Sequence, residues 1–303
     1  MTPNPEAYLY RPTVTFQDTN VVGNVYFLTF FRWQAECRDR WLRSTRPELW
    51  RDLRSDKRPL VVVHWSNRFE DAFGATIGDN VSVTLTTAGD AAELNSVDLE
   101  ITKFNDEGAS RLAVGAMRFA TSAQVPSSTN DYPIGRCYSH EAARPCGQPW
   151  NPMELLGWQG KCREAFLAEH AAETLRSVAQ RELILQTSLA SLDLICIPPF
   201  PLDDVRVEMR LETIKCGRME VRFDYFAEEA NGGTVRFARG RQKMSSKRAR
   251  GAAVVPCVLP IELLSALRAF TDSDQLQAQI YDIWAFSSTT KNESEASIDR
   301  TKD

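Results

Sequence analysis

Apolar positions recur at helical spacing in two places along the chain. Phe30, Trp33, Cys37 and Trp41 are three, four and four residues apart, and Leu155, Trp158, Cys162 and Phe166 repeat those steps. Such spacing gathers the apolar side chains into one stripe, so each block predicts a long amphipathic helix. Downstream of each helix the period changes to two. Val81 to Leu85, Val97 to Phe104 and Leu112 to Ala120 follow the first, and Val205 to Leu211, Met219 to Phe226 and Val235 to Met244 follow the second. Asn105-Asp106-Glu107-Gly108 and Asn231-Gly232-Gly233 supply the turns. Alternation broken by tight turns predicts antiparallel strands in hairpins. The stripe of each helix must be buried against something, and the inner face of its sheet is the surface available.

The two halves are also alike residue by residue. Trp33-Gln34-x-x-Cys37-Arg38 recurs as Trp158-Gln159-x-x-Cys162-Arg163, a constant offset of 125 residues from Arg38 to Arg163, and Leu42 and Leu167 extend it. With a residue of slippage the register continues downstream. Asp79 to Val83 answers Asp203 to Val207, and Ala113-Val114-Gly115 answers Ala238-Arg239-Gly240. Three anchors in one order indicate an internal duplication. The expected organisation is a first unit over 1–125 and a linker with the degenerate first strand and loop of the second copy over 126–149. A second unit over 150–248 follows, then a C-terminal segment over 249–303. In that last segment the basic Lys247-Arg248-Ala249-Arg250 reads as a joint, Leu259 to Phe270 as a helix, and the polar stretch from Ser287 as a disordered tail.

Composition narrows the function without naming it. With 43% hydrophobic residues in 303, the chain can fill two cores. A net charge of −4, from 36 basic and 40 acidic residues, argues against a dedicated nucleic-acid binder. The seven cysteines form no CxxC pair, and Cys37 and Cys162 fall on the apolar stripes, which fits reduced core thiols and a cytoplasmic setting. No apolar window is long enough to span a membrane. There is no GxSxG, GxGxxG or P-loop, and His140-Glu141-Ala142-Ala143-Arg144 opens like a zinc-binding HExxH helix but ends in arginine, so neither metal nor cofactor is expected.

The conspicuous polar segment is Phe16 to Phe27, a loop containing Asp18, Thr19, Asn20, Gly23, Asn24, Val25 and Tyr26 immediately before the first helix. Amides of such a loop and the positive end of the helix dipole can converge where a carbonyl oxygen gains charge. Equally, Asp18, Thr19 and Asn20 can serve only to cap the helix or shape a turn.

Taken with the Trp-Gln-x-x-Cys-Arg block, Asp18-Thr19-Asn20-x-x-Gly23-Asn24-Val25-Tyr26-Phe27 resembles the hotdog thioesterases of enediyne polyketide biosynthesis, relatives of 4-hydroxybenzoyl-CoA thioesterase. The second copy adds Trp158-Gln159-Gly160-x-Cys162-Arg163-Glu164 and Ala238-Arg239-Gly240-Arg241-Gln242 to the likeness, which covers most of 10–125 and 150–247. The resemblance implies an α+β double hotdog, each half a long helix wrapped by an antiparallel sheet. It also implies hydrolysis of a polyketide or β-ketoacyl thioester carried on an acyl carrier protein or coenzyme A. At the position of the usual hotdog carboxylate this chain has Asn20, so catalysis would rest on polarisation and water orientation. Asn20, Tyr26 and Arg38 are the implied catalytic residues, with Gly23, Asn24 and Val25 as substrate contacts; Arg163 is either a substrate or carrier contact or an inherited structural ion pair. Aligned against the loop, the second copy runs from Ala142 to Trp150 and lacks the asparagine and tyrosine, which makes it a degenerate partner walling a single pocket. A homodimer of double hotdogs is one assembly this architecture allows. Acyl transfer or decarboxylation, and a non-catalytic acyl-binding protein, remain the competing readings. Arg40, Arg43, Arg46, Arg51, Arg54, Lys57 and Arg58 form a basic cluster that either receives an acidic carrier protein or is a solvated face.

Overall fold

The computed structural model describes residues 7–19, 23–54, 60–70, 74–87, 96–106, 108–121, 124–125, 135–143, 151–197, 204–228, 232–250 and 253–285. Both long helices form where the apolar stripes predict them, α1 over Phe27–Thr45 and α3 over Pro152–His170. Short helices follow each, α2 over Pro47–Arg54 and α4 over Ala172–Ala179, and α5 spans Ile261–Ala269.

The first half contributes strands β1 (Ala7–Tyr10), β2 (Leu60–Phe69), β3 (Asn80–Thr87), β4 (Ser96–Asn105) and β5 (Gly108–Thr121). The second contributes β6 (Tyr138–Ala143), β7 (Leu183–Leu194), β8 (Asp204–Lys215), β9 (Arg218–Glu228) and β10 (Thr234–Arg250), with a short β11 (Ala253–Pro256) paired to β10. All belong to one sheet, in the order β1-β3-β4-β5-β2-β7-β10-β9-β8-β6. Read outward from the middle, the two halves have the same order, each strand of the first matched by the strand five places later. The α+β class expected from the sequence is the class observed. The hairpin strands were predicted; β2 and β7 were not. The basic stretch 247–250, read as a joint, is the end of β10, and His140 and Glu141 lie on β6 rather than a helix. The tail from Ser287 lies outside the described residues.

The two halves join where β2 pairs antiparallel with β7, and Ser66 faces Ser191 across the seam. These serines are 125 residues apart, the offset of the repeat, so the pseudo-twofold axis passes between them. Beside it the symmetry is broken: His64 Nδ1 lies 2.7 Å from Asp193 and its Nε2 lies 3.1 Å from Ser66 Oγ. A polar pair formed from both halves fixes the register of the seam.

Each helix is also tied to its sheet by a buried glutamine. Gln34 accepts from Trp65 Nε1 at 2.7 Å and exchanges hydrogen bonds with the Asn67 amide, while Gln159 donates to the Ser191 carbonyl at 3.0 Å and accepts from Gln242 at 3.1 Å. Both glutamines are fully buried, so these bonds are what makes their burial tolerable. Close approach requires glycine in the facing strand. A Cβ on Gly115 would sit 2.5 Å from Asn67 Oδ1 and 2.6 Å from the Ser66 carbonyl, and one on Gly240 would sit 2.8 Å from Gln159 Cδ. We expect Gly115→Ala and Gly240→Ala each to cost about 1–3 kcal/mol, because the glutamine must move or lose its partners. Urea unfolding reads this as a lowered midpoint at constant slope, and unchanged midpoints would contradict it.

Candidate functional site

The loop ahead of α1 is built around Asp18. Its carboxylate, fully buried, accepts from the Thr15 amide at 2.6 Å and the Thr15 hydroxyl at 2.7 Å and pairs with Arg32. Its carbonyl accepts the Tyr26 amide at 2.8 Å and the Thr29 hydroxyl at 3.1 Å. Asp18 thus fastens the loop to the first turn of α1, the structural role that the sequence left open. Gly23 has φ +85°, a left-handed conformation that favours glycine, with nothing near its missing Cβ. Asn24 bridges to Thr76, and the buried Val25 donates its amide to the Ala75 carbonyl at 2.8 Å. The Val25 and Tyr26 amides are therefore already engaged. The amides of Phe27 and Leu28, in the first turn of α1, have no acceptor within the helix. Asn20 lies outside the described residues.

Tyr26 occupies the N-cap of α1 without capping it through its side chain. Its counterpart on α3 is Asn151, an ordinary N-cap whose side chain accepts the Met153 amide at 2.9 Å. The alignment that set Tyr26 against Trp150 is therefore shifted by one residue. Freed from capping, the Tyr26 ring packs edge-on against Phe27, centroids 4.7 Å apart, and carries its hydroxyl onto α3 of the other half, beside Gly160 and Arg163.

Arg163 is the basic group at this junction. Its Nη1 reaches Gln242 Oε1 at 3.1 Å, Thr187 Oγ1 at 3.4 Å and Met244 Sδ at 3.6 Å, and its guanidinium lies 5.9 Å from the Phe27 ring centre. Glu164 lies 3.8 Å from Nη2 with its side chain largely exposed. Burial pushes the Tyr26 phenol above its ordinary value; the Arg163 charge and hydrogen bond oppose this, and Glu164 adds to it. Tyr26 therefore stays protonated at neutral pH.

Of the residues singled out from the sequence, Tyr26 and Arg163 are brought together, and Gly23, Asn24 and Val25 shape the loop behind them. Arg38 does not join them. Twelve residues further along the same helix, it is about 18 Å from Tyr26 along the axis. There its guanidinium pairs with Asp39 at 2.6 Å and lies 3.6 Å from Met117 Sδ. The expected nearness of Arg38 to Tyr26 fails because α1 meets α3 across the pseudo-twofold, which exchanges the arginines: the second copy's Arg163 stands where Arg38 was expected. Gly160, Glu164 and Gln242 stand inside the family-like motifs of the second copy but were given no site role from the sequence. The signal for Gly160 was present as one of the two differences, Ala35 against Gly160 and Glu36 against Lys161, inside the repeated block. Cys37 and Cys162 are buried, and burial pushes each thiol up to about 12, so neither is a nucleophile.

No family model matches the chain, and no curated protein matches it. Solved structures do. The 12:0-ACP thioesterase from Umbellularia californica aligns at 11% identity over 80% of this chain and 94% of that one, with a TM-score of 0.55. An acyl-ACP thioesterase from Bacteroides thetaiotaomicron aligns at 8% identity over 79% of this chain and 98% of that one, with a TM-score of 0.51. The dynemicin thioesterase aligns at 29% identity over 44% of this chain and 96% of that one, with a TM-score of 0.39. The chain shares the fold of the first two. No described helix is long and apolar enough to cross a membrane.

The contact between Tyr26 and Arg163 has a direct spectroscopic consequence. Because the guanidinium favours the phenolate, Arg163→Gln should move the ionisation of Tyr26 to still higher pH. Ultraviolet difference titration against the matching Tyr26→Phe background isolates this one phenol, and an unmoved titration would mean that the two side chains do not interact.

Proposed function

We propose that this chain hydrolyses an acyl thioester, specifically a polyketide or β-ketoacyl group carried on an acyl carrier protein or coenzyme A. The observation carrying the proposal is the phenol of Tyr26 and the guanidinium of Arg163, from different halves, meeting at the mouth of a long helix. The fold shared with solved acyl-ACP thioesterases and the likeness of the loop and helix motifs to enediyne-type enzymes support it.

In this reading the thioester carbonyl oxygen lies against the Tyr26 hydroxyl and Arg163. Water adds to the carbonyl carbon, and the resulting oxyanion is held by the Tyr26 O–H and Arg163 at the positive end of α1. Collapse breaks the C–S bond; the thiol leaves with a proton and the acyl group leaves as a carboxylic acid. Asn20 orients the water, and no carboxylate acts as nucleophile. Because the donors are fixed by the fold, they need little reorganisation as charge develops. Arg38 lies at the equivalent end of the other half, where Asn151 replaces the tyrosine.

The carrier would approach over the basic surface formed by the last turns of α1 and by α2. Arg43 stacks 5.2 Å from the Trp50 ring centre and Arg40 stacks 4.8 Å from that of Tyr10, so the aromatic rings hold these cations in place. An acidic carrier surface would complement them.

Removing the hydroxyl in Tyr26→Phe, or the cation in Arg163→Gln, should lower kcat on a β-ketoacyl thioester by about 10²–10³, the usual cost of one oxyanion donor. Glu164→Gln should leave it within a few fold; a loss as large as that of Tyr26→Phe would mean that a carboxylate does the work. Reversing charge at Arg43 and Arg46 together should slow turnover of carrier-bound substrate and spare small-molecule thioesters. Equal rates on both would remove the docking surface from the account.

A further inference from the structure

The two long helices run antiparallel against each other, and Gly160 is where the Tyr26 hydroxyl seats. A Cβ added to Gly160 would lie 2.5 Å from the Tyr26 hydroxyl oxygen but 3.8 Å from Tyr26 Cζ and 3.8 Å from Phe27 Cε1. A methyl group there would collide with the hydroxyl and with nothing else nearby. Glycine inside a helix is destabilising relative to alanine, so a buried one needs a local reason. The pseudo-twofold supplies a comparison within the same molecule. It relates Gly160 to Ala35 and Tyr26 to Asn151, so the equivalent position on α1 carries the methyl group, and the residue facing it has no hydroxyl to seat.

We propose that Gly160 is a positioning residue: its missing side chain forms the notch that holds the Tyr26 hydroxyl against Arg163. The Gly160 and Ala35 difference then decides which of the two equivalent ends of the helix pair can polarise a carbonyl. This inference rests on the reading of Tyr26 and Arg163 as the thioester-polarising pair and names what sets their geometry.

Gly160→Ala should lower kcat for thioester hydrolysis by about 10²-fold with KM little changed, because an ångström of displacement at a reacting group costs that much. In a Tyr26→Phe background the same substitution should cost almost nothing, since a phenylalanine ring clears the new methyl group. An equal loss in both backgrounds would show that Gly160 acts through helix packing, and an undiminished kcat in Gly160→Ala would show that there is no notch. Both results overturn the proposal. A readout that does not need activity separates this inference from the functional reading. Arg163→Gln should shift the Tyr26 titration when residue 160 is glycine and leave it unmoved in Gly160→Ala; a shift of the same size in both would overturn the notch. If the parent chain hydrolyses no thioester but the titration coupling behaves as expected, the functional reading fails and the notch stands.

Discussion

The β2 to β7 seam is the constraint from which the rest follows. By pairing the two halves into one antiparallel sheet with Ser66 opposite Ser191, it sets α1 and α3 side by side on one face and points them in opposite directions. Antiparallel helices related by a twofold bring the start of one to the middle of the other. That is why Tyr26, at the beginning of α1, meets Gly160 and Arg163, well inside α3. Without the seam, the phenol and the guanidinium belong to different units with no reason to touch. Hydrogen bonds of Gln34 and Gln159 hold each helix down on its sheet, and the glycines that let them approach are part of the same constraint.

Two copies of one unit need not remain equal, and the divergence here is chemically directed. At the start of α3 an asparagine caps the helix, and at the start of α1 a tyrosine occupies the same place and leaves the cap unmade. A capping side chain typically contributes about 1 kcal/mol, so the first half forgoes stability where the second keeps it. Glycine inside α3 is a second concession of the same kind. Both fall where the Tyr26 phenol and the Arg163 guanidinium come together, a pattern expected where function, rather than stability, sets the residue.

Much of the fold was legible in the sequence, for definite reasons. The helices announced themselves because every stripe position is apolar, and the hairpin strands because one face of each is polar. The seam strands were not legible. In β2 the unbroken apolar run Leu60 to Val63 gives way to His64-Trp65-Ser66-Asn67, and Asn67 is a fully buried polar residue facing the helix, where it bonds with Gln34, so the period of two is lost. The proposed site was half legible. Tyr26 and Arg163 could be picked out by type and repeat position, but pairing the tyrosine with Arg38 treated a contact between halves as one within a helix. Only the sense of the α1 to α3 packing resolves that choice, and no local pattern records it. Gly160, although part of a family-like motif, drew no role because a glycine's meaning lies in what approaches it.

The most direct test is a crystal structure of the chain with a non-hydrolysable β-ketoacyl thioester analogue. The account predicts one analogue per chain, its carbonyl oxygen within hydrogen-bonding distance of both the Tyr26 hydroxyl and the Arg163 guanidinium. An analogue seated instead beside Arg38, or equally at both ends of the helix pair, would contradict it.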